Sequence, residues 1–301
     1  MPEPKDIFTQ IIPGGVYTDE PMKQHTTFRI GGPADYFLVP DTVQEMKQLL
    51  SACRDLSIPY FIMGNGSNLL VSDSGYRGAV IQVARNMSRI EVNGNTVRAE
   101  AGALLSAIAS RALEASLAGF EFAGGIPGTL GGAVFMNAGA YGGEMKDVIS
   151  EITVLDASGN ESTLPASELA FGYRTSIVRD RGFLVLSAEI SLSAGDAEEI
   201  RRKSDDLRMR RQNRQPLEMP SAGSTFKRPE GYFAGKLIMD AGLRGARVGG
   251  AQVSEKHCGF IVNTGNATAS DVRSLISLVQ ETVFEKEHVR LEPEVRTLGD
   301  F

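Results

Sequence analysis

The chain has 301 residues, of which 42% are hydrophobic and 23% are charged, so it can bury a sizeable core and wholesale disorder is excluded. Its 31 basic and 37 acidic residues leave a net charge of −6, which argues against a general electrostatic binder of nucleic acid. At roughly 150 residues per domain, this length favours two domains.

The cysteines and the N-terminal sequence indicate the compartment. Cys53 and Cys258 are the two cysteines of the sequence and form no CxxC pair, so we expect neither a disulfide framework nor a zinc site. Residues 1–10 lack the basic and then apolar pattern of a signal peptide, and no run of about 18 apolar residues occurs. We therefore expect a soluble cytoplasmic protein with no metal and no membrane partner.

The first ninety residues predict a helix between strands. Thr42 followed by Glu45 is a capping-box pair, and the apolar face of the helix that it starts ends near Cys53. Short apolar runs on either side predict strands at 36–39, 60–63 and 79–81. This alternation is typical of an α/β arrangement.

The character of the chain changes near residue 89. An Asn-Gly-Asn turn at 93–95 predicts a β-hairpin, because its glycine can supply the positive φ that such turns need. An alanine-rich helix is predicted over 104–117, and apolar runs predict strands at 152–155 and 183–186. Hairpins mixed with crossovers favour an α+β fold over a doubly wound parallel sheet.

A charged segment divides the chain. Residues 196–214 begin with acidic residues and end with arginines, which predicts a helix whose charges match its dipole. We place the domain boundary here, with residues 1–197 as the first domain, divided near residue 85 into two subdomains, and residues 198–301 as the second.

The second domain contains one strongly periodic segment. An apolar stripe predicts a helix over 270–286. Strand-like runs lie before it at 258–262 and after it at 288–291.

Several common enzyme motifs are absent from the sequence. It contains no GxGxxG, GxSxG or HExxH, and its three histidines are scattered without the spacing of metal ligands. A Rossmann phosphate turn, a nucleophile elbow and a zinc protease site are therefore not expected.

Two glycine-rich segments carry the strongest chemical signal. Residues 64–68, Gly-Asn-Gly-Ser-Asn, let backbone amides approach an anion, although a tight turn between strands explains them equally well. Residues 124–132 have five glycines in nine positions, as is needed where backbone lies flat against a ligand. The alternative for this second segment is a close helix-to-sheet contact without a ligand. Together the two segments suit a ligand with a diphosphate and a planar ring.

Five ordered motifs, at 64–68, 125–129, 171–176, 221–227 and 291–296, resemble those of the UDP-N-acetylenolpyruvoylglucosamine reductase (MurB) family. This resemblance implies a vanillyl-alcohol-oxidase (PCMH) type FAD-binding domain of two subdomains, followed by a smaller α+β substrate-binding domain. It also implies non-covalent FAD as cofactor and NADPH as hydride donor. The residues that it implies for FAD binding are Gly64, Asn65, Gly66, Ser67, Asn68, Gly125, Ile126, Pro127, Gly128, Thr129 and Gly132.

The family reaction implies roles for three further residues. An enolpyruvyl ether is reduced to a lactyl ether, by hydride transfer from NADPH to FAD and then from flavin N5 to substrate C3. Arg174 would face the substrate carboxylate and stabilise the developing enolate, and Ser224 would protonate C2. Glu294 would lie beside the enolate, acting either electrostatically or as a protonated acid.

A second group of residues is implied to bind the UDP-sugar substrate, with its cations matching the diphosphate. The arginines of 208–214 are explained equally well as one solvated helix end. Arg228 stands where the family often has asparagine, so its contact with the substrate is expected to differ. The implied substrate-binding residues are Tyr173, Arg214, Lys227 and Arg228.

The interval of 50 residues from Arg174 to Ser224 resembles the shorter, second subgroup of the family. An aromatic side chain that closes the site in the longer form is therefore expected to be missing. Two other functions stay open: a flavin oxidase of the same fold acting on an alcohol or a sugar lactone, and a non-catalytic binder of nucleotide sugars. In each case we expect a monomer with a small-molecule partner.

Overall fold

A computed structural model describes residues 3–301, and its helices and strands alternate irregularly along the chain. The α-helices are α1 Pro4–Ile11, α2 Val43–Asp55, α3 Leu105–Glu114, α4 Leu130–Met136, α5 Ile177–Arg181, α6 Ala197–Arg214, α7 Ala234–Asp240 and α8 Ala269–Glu287. The strands are β1 Val16–Pro21, β2 Pro33–Leu38, β3 Tyr60–Met63, β4 Leu69–Val71, β5 Tyr76–Gln82, β6 Ile90–Asn93, β7 Thr96–Glu100, β8 Leu117–Ala118, β9 Gly139–Ala140, β10 Gly143–Glu144, β11 Ile149–Leu155, β12 Glu161–Pro165, β13 Leu184–Ser191, β14 Ser193–Ala194, β15 Ser221–Ser224, β16 Arg247–Val248, β17 Ala251–Val253, β18 Phe260–Asn263 and β19 Arg296–Leu298. The predicted α+β class is confirmed.

In the three larger sheets, some neighbouring strands are not consecutive in the sequence, so each sheet combines hairpins with crossover connections. The orders are β1-β2-β5-β3, β12-β11-β13-β7-β6 and β15-β18-β17-β16. Strands β3 and β5 pair in parallel, with Tyr60 opposite Ala79, and β6 and β7 form the predicted hairpin across Gly94, whose φ is +58°. Glycine carries this backbone conformation without steric cost.

The chain divides into two compact units, and neither is one continuous segment. The first holds the chain up to residue 17 together with 37–65 and 79–211, and the second holds 18–36, 66–78 and 212–301. The functional domain boundaries expected from the sequence stay a prediction.

The first unit is organised around the five-stranded antiparallel sheet. Helix α4 packs against its central strand β13, where Val134 of the helix and Ala188 of the strand are both buried. Helix α2 begins as predicted, because the Thr42 hydroxyl accepts from the Glu45 amide and the Glu45 carboxylate accepts from the Thr42 amide, each at 3.1 Å.

The second unit is built on the sheet β15-β18-β17-β16, which α8 covers with its buried stripe. This helix starts one residue before the predicted range, at a second capping box made by Thr268 and Asp271. In the same unit β19 pairs in parallel with β4, with Arg296 opposite Leu69. The stripe consists of Val272, Leu275, Ile276, Val279 and Val283.

Two predicted elements differ from the structure. The strand expected at 288–291 is wrong: His288 caps α8 with a φ of +58°, and the following residues form no strand. The helix expected over 104–117 spans only Leu105–Glu114, because Ser116 has a φ of +56° and β8 begins at Leu117. Left-handed backbone stops a helix, whatever the apolar pattern beyond it. Among residues 3–301, no helix is long and apolar enough to cross a membrane.

Candidate functional site

The first unit brings the two glycine-rich segments into direct contact. A Cβ on Gly64 would collide with the Thr129 hydroxyl, so only glycine permits this approach. The Asn65 side-chain amide donates to the Pro127 carbonyl at 3.0 Å, which ties the two loops together. Gln82 of β5 donates to the Gly64 carbonyl at 3.3 Å from the other side.

The glycines of the second segment serve two purposes. A Cβ on Gly131 would lie 3.0 Å from Ala101 Cβ, so close packing accounts for this position, as the ligand-free alternative proposed. Gly132 is exposed, and the nearest atom to a Cβ there would be Thr129 Oγ1, 3.7 Å away. Gly125 is exposed as well, while Ile126 and Gly128 are half-buried in the same loop. Bare backbone is thus presented to solvent beside the Asn65 loop, which fits a flat ligand such as FAD.

Three residues of the first segment, Gly66, Ser67 and Asn68, belong to the second unit. Gly66 has a φ of +61°, and its carbonyl accepts from the Thr27 amide at 3.3 Å. The Asn68 side-chain amide donates to the Glu294 carbonyl at 3.1 Å, and the Asn68 carbonyl accepts from the Arg296 amide at 3.1 Å. Asn68 therefore joins its segment to the one that carries Glu294.

Arg174 lies in the first unit, in a tight four-residue turn. The Gly172 amide donates to the Thr175 carbonyl at 3.1 Å, and the Thr175 amide donates back at 3.4 Å. Arg174 has a φ of +57°, a conformation that costs a residue with a side chain roughly 1–2 kcal/mol. Its guanidinium lies over the exposed ring of Tyr173, 5.0 Å from the ring centroid. Such a conformation persists only where the surrounding structure holds it.

Ser224 and Glu294 lie on neighbouring segments of the second unit. Ser224 ends β15 and is exposed, after a left-handed Gly223 with a φ of +76°. The Glu294 amide donates to the Thr225 carbonyl at 2.8 Å, and Glu294 is half-buried. The structure therefore brings these two predicted residues together, whereas Arg174 belongs to the other unit.

The predicted substrate-binding cations each have a distinct environment. Lys227 forms an ion pair with Glu292, and its amide donates to the Glu292 carbonyl at 2.8 Å. Arg228 places its guanidinium 3.9 Å from the centroid of the Phe233 ring and donates from Nε to the Tyr232 carbonyl at 3.1 Å. Arg214 is exposed at the end of α6.

Arg211 is a supporting residue that the sequence does not predict. The charges of 208–214 predict a solvated helix end, with Arg214 as the alternative substrate contact, but Arg211 is only 9% exposed. Its guanidinium donates to the Gly125 carbonyl and lies 5.6 Å from the centroid of the Tyr141 ring. A Cβ on Gly125 would lie 2.8 Å from Arg211 Nε, so the glycine leaves room for this arginine. Burial lowers the pKa of Arg211.

The described residues form no cluster of metal ligands. Within residues 3–301, no group of three or more His, Cys, Asp and Glu side chains is arranged to hold an ion.

Family models match both parts of the chain. Residues 34–164 match an FAD binding domain, and residues 215–298 match the C-terminal domain of UDP-N-acetylenolpyruvoylglucosamine reductase.

Individual relatives agree with these matches. The UDP-N-acetylenolpyruvoylglucosamine reductase of Alkaliphilus oremlandii is 55% identical over 97% of this chain and 96% of its own length. That of Agathobacter rectalis is 54% identical over 99% and 98%. The crystal structure of UDP-N-acetylenolpyruvylglucosamine reductase (MurB) from Thermus caldophilus is 37% identical, covers 94% of this chain and 98% of that chain, and has a TM-score of 0.81.

A more distant structure shares only the fold. The crystal structure of Phl p 4, a grass pollen allergen with glucose dehydrogenase activity, is 16% identical and has a TM-score of 0.50 over 65% of this chain and 45% of that chain. Near-full-length identity above 50%, together with both family models, decides the relationship. The chain belongs to the UDP-N-acetylenolpyruvoylglucosamine reductase family and is an FAD-dependent oxidoreductase.

Proposed function

We propose that this chain reduces UDP-N-acetylglucosamine enolpyruvate to UDP-N-acetylmuramate with NADPH, a step of peptidoglycan precursor synthesis. The observation that carries the proposal is the 55% identity, over almost the whole of both chains, to a protein named for this reduction. The exposed glycine backbone beside Asn65 supports the use of FAD, which when bound would supply hydride transfer from NADPH, through N5, to C3 of the enolpyruvyl group.

Arg174 binds the substrate carboxylate in this proposal. Hydride addition at C3 leaves negative charge on C2 and on the carboxylate, and a fixed guanidinium fork stabilises that charge. The strained turn supports this role, because a φ of +57° at an arginine persists only where surrounding contacts hold it. The stacked Tyr173 ring limits the directions that the guanidinium can take.

Ser224 donates the proton to C2 in this proposal. Its exposure at the end of β15 leaves the hydroxyl open to a bound substrate. A serine hydroxyl is a weak acid, so it donates only to a strongly basic centre such as an enolate carbon. Glu294, on the adjacent segment, assists the same intermediate either by its charge or as a protonated acid.

The substrate diphosphate binds to cations of the second unit in this proposal. Lys227 and Arg228 lie four residues or fewer after Ser224, so an extended chain places them within about 14 Å of the proton donor. Arg214 is exposed and available for the same diphosphate.

An anaerobic titration tests the proposal. NADPH added to the oxidised, FAD-loaded protein should bleach the flavin absorbance, and UDP-N-acetylglucosamine enolpyruvate should then restore it, with UDP-N-acetylmuramate as product. Reoxidation by oxygen but not by the enolpyruvyl substrate would instead support the flavin oxidase. Failure of the protein to take up FAD would support a nucleotide-sugar binder.

A further inference from the structure

The Asn137 side chain is fully buried and joins residues 144–146 to Gly172 in the first unit. Its amide nitrogen donates to Glu144 Oε2 at 2.9 Å and to the Gly172 carbonyl at 3.0 Å. Its carbonyl oxygen accepts from the Lys146 amide at 2.9 Å. Because an amide has two donor hydrogens and one oxygen, these bonds use both of its polar ends.

Asn137 has itself a left-handed backbone, with a φ of +44° at the end of α4. Asparagine tolerates this conformation better than most residues with a side chain. The backbone turns at Asn137, and the side chain then reaches across to the turn that carries Arg174. Asn137 thus serves both as the left-handed cap of α4 and as the side-chain donor to this turn.

The turn that carries Arg174 is held at both ends by the last residues of α4 and its cap. At its start, the Gly172 carbonyl accepts from Asn137 as well as from Thr175. At its end, the buried Ser176 hydroxyl donates to the Phe135 carbonyl at 2.9 Å. These two contacts oppose relaxation of the left-handed Arg174, since breaking either leaves a donor of the buried Asn137 or Ser176 side chain unpaired.

The charged residues beside this turn also favour a fixed position for Arg174. Glu144 accepts from Asn137 and pairs with Lys146 at 2.7 Å. The Lys146 hydrogen bond lowers the pKa of Glu144 most, and Asn137 and the charge of Arg174 lower it further. Glu144 is therefore ionised at neutral pH, and its carboxylate attracts the Arg174 guanidinium.

We infer that Asn137 is a positioning residue for Arg174, fixing through the Gly172 carbonyl the turn that presents the guanidinium to the substrate carboxylate. This inference rests on the proposed function of Arg174. Misplacement of a catalytic group by about 1 Å can cost about a hundredfold in rate. Relaxation of the strained turn would displace the guanidinium in this way.

Asn137→Asp is the direct test, because it keeps the shape and the acceptor for Lys146 but replaces the amide that donates to Glu144 and Gly172 with a carboxyl group. We expect reoxidation of the reduced flavin by UDP-N-acetylglucosamine enolpyruvate to slow about ten- to a hundredfold. Bleaching by NADPH should keep its rate. Ser176→Ala, which removes the other anchor of the turn, should act in the same direction. Asn95→Asp, in the exposed hairpin turn, is the matched control and should leave both half-reactions unchanged.

A binding measurement tests whether Asn137 positions Arg174 for the carboxylate of the ligand, separately from any effect on the reaction rate. On the oxidised enzyme, wild type should bind UDP-N-acetylmuramate more tightly than UDP-N-acetylglucosamine, which lacks the lactyl carboxylate. Asn137→Asp should reduce that ratio and leave the affinity for UDP-N-acetylglucosamine unchanged. Equal loss for both ligands would overturn the inference.

A double-mutant cycle with Arg174→Ala gives the decisive outcome. If Asn137 acts through Arg174, adding Asn137→Asp to Arg174→Ala should slow reoxidation no further. Fully additive losses, or normal reoxidation by a folded Asn137→Asp enzyme, would overturn the inference while leaving Arg174 its role. Normal reoxidation by Arg174→Ala itself would overturn the proposed function of Arg174.

Discussion

The backbone amide of Glu294 donates to the carbonyl of Thr225 at 2.8 Å, one residue beyond Ser224. The neighbouring bridge between Phe226 and Pro293 continues this pairing. Main-chain bonds therefore hold the two candidate acid residues on adjacent segments, independently of either side chain. A substitution at Ser224 can then remove a proton donor without moving the segment of Glu294.

Ser224→Ala is expected to separate the two half-reactions. Bleaching of the flavin by NADPH should keep its rate, because it requires no proton at C2. Reoxidation by the enolpyruvyl substrate should slow by about a hundredfold or more, the typical contribution of a positioned general acid. Stopped-flow absorbance of both steps measures this, with the exposed Ser277→Ala of α8 as control. Equal slowing of both steps would assign Ser224 to something other than proton donation.

Gly64→Ala is expected to separate the two glycine-rich loops. The new methyl would collide with the Thr129 hydroxyl, so one loop must move. The proposed FAD-binding surface between the two loops then widens. We expect the purified protein to retain less FAD, measured as the ratio of flavin to protein absorbance.

Thr129→Ala offers the matched comparison for this change. Combined with Gly64→Ala, it removes the atom that the methyl meets first and should recover part of the FAD content. Thr129→Ala alone should lose less FAD than Gly64→Ala alone. A Gly64→Ala protein with full FAD content would contradict the role of this close approach.

Arg211→Ala is expected to loosen the second glycine loop. It removes a buried donor to the Gly125 carbonyl and opens space beneath the loop. Loss of a hydrogen bond from a charged donor should cost about 1.5–3 kcal/mol of unfolding free energy. Denaturant melts and FAD titration should show lower stability and weaker FAD affinity together. Arg210→Ala, which removes an exposed ion pair with Asp206 on the same helix, should change stability by about 0.5 kcal/mol or less.

Local chemistry explains what the sequence could predict. The Thr42 and Glu45 capping box fixes the start of α2 through bonds within one helical turn, so the pattern can be recognised without tertiary structure. Contacts between residues far apart in the sequence cannot be recognised in this way. Arg211 and Gly125 are 86 positions apart, and the run of charges around Arg211 resembles any solvated helix end.

The role of the glycine-rich segments could be predicted from the sequence only in part. Their density correctly indicated bare backbone, but only the structure distinguishes Gly131, which packs against Ala101, from Gly132, which is open. Asn137 had no signal of its own in the sequence, because its importance comes from the Gly172 carbonyl that it reaches in three dimensions.

The buried thiol of Cys53 gives a prediction for alkaline pH. Burial raises the pKa of Cys53 to about 11, from an ordinary value of 9.0. Below pH 9 the thiol is protonated in both folded and unfolded chains, so it adds no pH dependence. Between pH 9 and about 11 the unfolded chain loses the proton while the folded chain keeps it, and stability falls as pH rises. Urea melts over this range should therefore show a smaller decline for Cys53→Ala than for wild type. An identical decline in the two proteins would mean that the folded thiol ionises as readily as the unfolded one.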